Sequence, residues 1–212
     1  MRIISGSARG RRLFSPPGRS LAIRPTADRA REALFSILGR RTEGAAVLDL
    51  YAGTGALGLE AFSRGARRVT FVDHHRQALE LITKNIIACT VSKAEQVSGR
   101  IPPELAPCFQ LISHDLRRGL PLAQFRSQEL APFDLVFLDP PYATDLCRRT
   151  LSDWDRDNLL AADGLLVAEE RAGEDLEGQW ATLAASDRRI YGDTAFWFFH
   201  RKPADHQQTL TP

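Results

Sequence analysis

The chain has 212 residues, 43% of them hydrophobic, and a formal net charge of +2. That length supports one substantial core with a small appendage, and no apolar run reaches the ~18 residues that a membrane span needs. The N-terminus shows no apolar export segment. Three cysteines without a CxxC pair argue against a zinc site or disulfide framework and fit a reducing cytosol. The five histidines form no HExxH spacing.

The charge is unevenly spread. Residues 1–41 hold ten arginines against Asp28 and Glu32, while the remainder has 18 basic and 24 acidic residues. A basic segment on a mildly acidic body predicts a polyanion contact near the N-terminus, with a solvated basic face as the plain alternative.

Arg2-Ile3-Ile4 and Arg11-Arg12-Leu13-Phe14 read as two short strands of a basic hairpin or arm, followed by a turn at Pro16-Pro17-Gly18. A helix comes next, with Thr26 as its cap, Asp28 in the first turn and Gly39 after its last apolar position. Ala30, Ala33, Leu34, Ile37 and Leu38 fall on one apolar stripe, and Arg29, Arg31 and Glu32 fall on the other face. Ala46–Tyr51 is a short apolar run of the kind that forms a buried parallel strand, and Ala52-Gly53-Thr54-Gly55 gives a tight turn into a helix that ends before Gly65. Strand, glycine turn and helix make the first unit of a doubly wound domain, whose crevice takes nucleotide-like ligands.

Further strands are expected at 68–73, 109–113, 133–138 and 164–169, with helices at 77–89, 120–130 and about 146–160. Residues 92–107 read as a loop or weak helix, and 188–191 with 194–199 as an antiparallel hairpin at a sheet edge. From Pro203 the chain is polar, a frayed tail. The alternation gives a mainly parallel sheet with helices on both faces.

Gly53 to Gly58 matches GxGxxG, and Asp73 lies about 20 residues further on, where an acid binds ribose hydroxyls. A dinucleotide is therefore one candidate ligand. Asp49, four residues before Gly53, separates the alternatives: an acid there repels a pyrophosphate but suits the ammonium of S-adenosylmethionine. Glycines that merely serve a tight turn are the bland reading. At the end of the fourth strand, Asp139-Pro140-Pro141-Tyr142 places a carboxylate, a carbonyl and an aromatic ring on the same rim. Two acceptors and a stacking ring suit the exocyclic amine of a nucleobase, against the simpler reading of a proline turn that caps a strand. Asp145, Asp153, Asp155, Asp157 and Asp163 lack the spacing of a calcium loop and read as a solvated face, and no metal is expected. Trp154, Trp180 and Trp197 read as packing residues, and His74 and His75 as rim residues beside the adenosine.

VLDLYAGTGALGLEAFSRGA with FDLVFLDPPY after it resembles the class I, S-adenosylmethionine-dependent amino-methyltransferases. MRIISGSARGRRL, RPTADRAREALFSIL and the terminal YGDT are similar, more narrowly, to the bacterial family that methylates a guanine N2 in 16S ribosomal RNA, collinearly from Met1 to about Arg201. This chain has Tyr-Ala-Gly-Thr-Gly where that family commonly has Phe-Ala-Gly-Ser-Gly.

The resemblance implies an α/β, Rossmann-like class I fold. Its seven-stranded, mainly parallel sheet would end in an antiparallel hairpin and carry a small N-terminal basic hairpin and helix. It implies a basic, RNA-contacting extension over 1–41, a methyltransferase domain over 42–202 and a tail over 203–212. Cofactor contact is expected from Asp49, Tyr51, Ala52, Gly53, Thr54, Gly55, Asp73 and His74, with adenine contact near Asp115. Asp139, Pro140, Pro141 and Tyr142 are expected to handle the target base. Arg9, Arg11, Arg12, Arg24 and Arg29 would hold the RNA backbone. The expected partner is 16S rRNA or the assembling 30S subunit, with a cytoplasmic monomer as the default. Two rivals stay open: an adenine-N6 or cytosine-N4 methyltransferase on DNA, and a non-catalytic RNA-binding assembly factor.

Overall fold

The computed structural model describes residues 1–16, 25–91, 100–142, 144–157 and 159–203. The strands are β1 (Ala46–Leu50), β2 (Arg68–Asp73), β3 (Phe109–Ser113), β4 (Phe133–Leu138), β5 (Leu160–Arg171), β6 (Leu183–Tyr191) and β7 (Thr194–Arg201). The helices are α1 (Pro25–Leu38), α2 (Ala56–Ser63), α3 (Arg76–Thr90), α4 (Leu122–Ser127) and α5 (Leu146–Asp157).

All seven strands join one sheet in the order β3-β2-β1-β4-β5-β7-β6. The first five pair in parallel, and β7 runs antiparallel between β5 and β6. All five residues of β1 are buried, because a central parallel strand is covered on both faces. Val47, Phe71, Leu135, Phe137 and Val167 pack on one face with Leu34, Phe35, Leu59 and Ile82. Leu48, Leu50, Val136, Leu138 and Leu166 pack on the other with Phe125, Leu151 and Trp154. Strand order reverses between β1 and β4, so the crevice at their C-terminal ends is the topological switch point.

The expected elements are present, with several shifts. The two N-terminal strands reduce to one antiparallel bridge between Arg2 and Arg12, flanked by Leu13 N–H donating to the Met1 carbonyl at 3.1 Å. This segment is docked rather than free. The carboxylate of Glu60, fully buried on α2, accepts the N–H groups of Ile4 (2.7 Å) and Ser5 (3.1 Å). Ser63 Oγ accepts the Ala8 N–H at 2.9 Å. Pro17, Gly18, Arg24, residues 92–99 and 204–212 lie outside the described residues.

Helix α1 begins at Pro25, so Thr26 lies inside it rather than at its cap. Its buried face is also rotated from the expected stripe. Phe35 (0% exposed) and Arg31 (7%) are inside, and Ile37 (42%) is out. Phe35 stacks obliquely on Phe137, 5.7 Å between ring centres, and burying such a ring stabilises by about 2–3 kcal/mol. Arg31 turns inward with it because its Nη2 donates to the Arg2 carbonyl at 2.6 Å, which ties α1 to the arm. Helix α5 stops at Asp157, and β5 starts at Leu160, four residues before the expected Gly164. Asp155 is not part of a solvated face: its carboxylate accepts the N–H groups of Ala181, Thr182 and Leu183 and anchors the start of β6.

Candidate active site

The crevice is built from the C-terminal ends of β1, β2 and β5 and from the segments that leave β1, β2 and β4. After β1, Tyr51 turns the chain with a positive φ of 58°, and Gly53 and Gly55 continue it at 55° and 75°. Gly58 has a different task. A Cβ there would lie 2.5 Å from Phe71 Cε1 and 2.7 Å from Val69 Cγ1, so its absence lets α2 sit directly on β2.

Two carboxylates brace this turn from within. Asp49 Oδ2 accepts the Gly58 N–H at 2.9 Å, and Asp73 Oδ2 accepts the Gly53 N–H at 2.9 Å. Asp73 Oδ1 also accepts the His75 N–H at 2.8 Å. Asp49 is only 2% exposed. Burial pushes its carboxyl up to about 7, the Gly58 N–H opposing that and the Asp73 charge adding to it. His74 is exposed on the rim, its Nδ1 3.7 Å from Asp73 Oδ1 and its ring 3.6 Å from that of His75. Ala52 is buried, its N–H donating to the Val72 carbonyl at 3.1 Å, and Thr54 is half-buried.

Two expected cofactor residues are differently engaged. The phenol of Tyr51 turns to the α5 side, where its hydroxyl lies 2.9 Å from Thr150 Oγ1, so it is the Tyr51 backbone that shapes the rim. Asp115 is held by its own neighbour: Arg117 Nε donates to Oδ1 (2.8 Å) and Nη2 to Oδ2 (2.9 Å). That pairing holds the Asp115 carboxyl down at about 2.

Across the crevice, Asp139 and Pro140 come directly after β4. Asp139 is partly exposed, and its carboxylate makes no hydrogen bond among the described residues. Burial, then the charges of Glu169, Asp49 and Glu170, push its carboxyl well above the usual range. Pro140 is buried and Pro141 exposed. The Tyr142 hydroxyl donates to Glu169 Oε1 at 2.6 Å and lies 3.1 Å from Thr194 Oγ1, while the Arg171 guanidinium lies over its ring at 5.8 Å.

Glu169 is a candidate site residue that sequence reasoning missed. Its signal is an acid directly after the buried run Leu165–Ala168, just as Asp139 comes directly after Leu135–Leu138. The structural acids Glu60 and Asp155 carry no such signal, because their partners are backbone N–H groups distant in sequence.

The expected RNA-contacting arginines divide. Arg9, Arg12 and Arg29 are exposed. Arg11 instead turns inward, its Nη1 donating to the carbonyls of Ala88 (3.3 Å) and Val91 (3.1 Å), where it caps the end of α3. Arg24 lies outside the described residues.

This acceptor-rich rim tests the candidate ligands. Asp49, Asp73, Asp139 and Glu169 suit a molecule carrying a sulfonium and an ammonium, and they oppose the pyrophosphate of a dinucleotide. Among the described residues no side-chain group is arranged to hold a metal, and no helix is long and apolar enough to cross a membrane.

Strand order, glycine turn, acid at the end of β2 and Asp-Pro-Pro-Tyr after β4 define a class I, S-adenosylmethionine-dependent methyltransferase. A solved structure of yhhF from Escherichia coli, provisionally described as a methyltransferase, superposes with a TM-score of 0.71. It shares 27% identity, covering 96% of this chain and 98% of that one. The family model described as Conserved hypothetical protein 95 matches residues 1–200, and the chain belongs to this family. It is 30% identical to Ribosomal RNA small subunit methyltransferase D of Escherichia coli K12, over 95% of this chain and 90% of the relative. It is 32% identical to YlbH of Bacillus subtilis 168, provisionally named an rRNA methyltransferase, over 95% of this chain and all of the relative.

Proposed function

We propose that the chain methylates the N2 amino group of a guanine in 16S rRNA of the small ribosomal subunit, in the cytosol. The observation that carries this reading is the Asp139 carboxylate on the rim, without a hydrogen-bond partner among the described residues, with the Pro140 carbonyl and Tyr142 directly after it. The names of the relatives supply the RNA.

Bound S-adenosylmethionine supplies an electrophilic methyl group on a sulfonium. Asp49 faces its ammonium, Asp73 its ribose hydroxyls, and the rim near Asp115 its adenine, with the Gly53–Gly55 backbone letting the ligand approach closely. Asp139 and the Pro140 carbonyl accept the two N2–H hydrogens, which draws the nitrogen lone pair out of conjugation and fixes its direction. Tyr142, held by Glu169 and Thr194, offers the ring face away from Arg171 to the unstacked base. Residues 1–41 form the RNA-contacting extension of a methyltransferase domain over 42–202, with Arg9, Arg12 and Arg29 on phosphates. Arg24 belongs to the same basic stretch, and Arg11 contributes by holding the arm. Binding therefore weakens steeply with salt.

The test is label transfer from S-adenosylmethionine to unmodified 30S particles, naked 16S rRNA and duplex DNA. N2-methylguanosine in digested RNA is the expected product. Asp139→Ala should lower kcat by about 100-fold or more while cofactor binding persists. No label in any RNA ends this reading, and an Asp139→Ala variant of full activity ends the mechanism.

A further inference from the structure

We propose that Glu169 accepts the N1–H of the target guanine and is the residue that selects guanine over other amino-bearing bases. The assignment rests on the guanine-N2 reading above and gives a direct contact with the base to an acid which that reading uses only to hold Tyr142.

Leu138 and Ala168 are register partners in the parallel pair β4–β5, so Asp139 and Glu169 come next, side by side on the rim. Neighbouring strands stand about 4.8 Å apart, a spacing that sets two carboxylates against one base edge. Tyr142 fixes Glu169 by taking Oε1 in a 2.6 Å bond, while Oε2 has no hydrogen-bond partner among the described residues. Glu169 is partly exposed at this rim.

Two carboxylates this close repel unless donors arrive between them. Asp139 feels Glu169 as its strongest neighbouring charge, and Glu169 is itself raised by burial and by Glu170. Guanine brings the matching pattern. Its N1–H and N2–H donors lie next to each other on the Watson–Crick edge, so one acid takes each. In adenine and cytosine the ring nitrogen beside the amine is an acceptor, and a carboxylate there faces a lone pair. An unmade hydrogen bond of this kind discriminates far more strongly than a change of shape.

The test uses 16S rRNA ligated to carry 2-aminopurine or 2,6-diaminopurine at the one nucleotide that the wild type labels. Both analogues keep the N2 amine but present an acceptor at N1. The wild type should prefer guanine by about 100-fold or more in kcat/KM. Glu169→Gln keeps its amide oxygen for the Tyr142 hydroxyl and turns an N–H2 toward the base. It should lose about 100-fold on guanine and bring the guanine-to-analogue ratio close to one. Tyr142→Phe leaves the Glu169 charge in place but frees Oε1 from its bond, so it should weaken methylation of all three bases and lower the guanine-to-analogue ratio far less than Glu169→Gln does.

A wild type that methylates guanine and both analogues equally overturns the assignment without any variant. So does a Glu169→Gln enzyme with an unchanged ratio, since Glu169 then only positions Tyr142. Absence of guanine methylation by the wild type instead overturns the proposed function, and the assignment with it.

Discussion

Asn85 and Phe14 exchange two hydrogen bonds: the Phe14 N–H donates to Asn85 Oδ1 at 2.7 Å, and Asn85 Nδ2 donates to the Phe14 carbonyl at 3.2 Å. The same Nδ2 reaches the Thr54 carbonyl at 2.8 Å. One fully buried amide on α3 thus joins the N-terminal arm to the glycine turn. Asn85→Ala leaves the Phe14 N–H and the Thr54 carbonyl without that partner, a loss of about 2–3 kcal/mol in denaturant unfolding. Because both the arm and the turn lose a tether, the cofactor Kd and the KM for RNA should rise together. A variant that shifts only one of them would show that the amide does not link the two.

Gly6 tests the seat of the arm itself. It has a φ of +84°, and a Cβ would lie 1.8 Å from the Ser63 carbonyl oxygen, a backbone atom that cannot step aside. Gly6→Ala should cost about 2 kcal/mol or more and expose residues 1–14 to limited proteolysis. RNA methylation should fall while cofactor affinity changes little. Gly10 is the control: its φ is +80° but no atom stands within 4 Å of the added Cβ. Gly10→Ala should cost about 1 kcal/mol and leave the arm docked.

Most of the architecture is legible from periodicity. Strands β2 and β4 occupy the expected residues, because largely buried parallel strands are near-continuous apolar runs between polar breaks, and the half-buried edge strand β3 also falls where expected. Asp49, Asp73 and Asp139 are legible because each sits at or beside the end of such a run. Pattern does not show which partner each polar group finds. Arg31 has the spacing of a surface residue, but the Arg2 carbonyl gives its guanidinium an acceptor inside. Ile37 fits the helical stripe, yet the helix turns Phe35 onto Phe137 instead. Arg11 counts toward the basic arm but caps α3. Glu169 carries a local signal, an acid after an apolar run, but its place beside Asp139 depends on the β4–β5 register, which local sequence does not specify.

Asp49 should cost the ligand-free protein stability at neutral and higher pH. Its folded carboxyl is raised to about 7 from an ordinary 3.8, so between those values the folded state binds the extra proton. Stability from this group is therefore greatest below about pH 4 and declines as pH rises through about 7, by about 4 kcal/mol at most. Asp49→Asn keeps an acceptor for the Gly58 N–H and removes the buried charge. At pH 8 it should be about 1–3 kcal/mol more stable than the wild type in denaturant unfolding, with the gap closing by pH 5. It should also bind S-adenosylmethionine more weakly. Equal stability at pH 8 and pH 5 relative to wild type would show that Asp49 is not charged against its surroundings.

The acid limb of the pH–rate profile reports the pair on the rim. Asp139 must be ionised to accept the amine hydrogens well, and burial, Glu169, Asp49 and Glu170 all raise its carboxyl. Activity should therefore fall on acidification at a pH well above the ordinary carboxylate range, as kcat/KM tracks the free enzyme. Glu169→Gln removes the largest of the three neighbouring charge effects and leaves Asp49 and Glu170 in place. The remaining activity should keep an acid limb displaced to lower pH, since one less negative neighbour makes Asp139 easier to ionise. Glu170 provides the comparison: of the three acids it raises Asp139 least, and its Oε1 accepts the Arg171 N–H at 2.8 Å on β5. Glu170→Gln should accordingly move the limb less. If both variants leave it where the wild type has it, the limb belongs to some other group and Asp139 is not the acid that the profile reads.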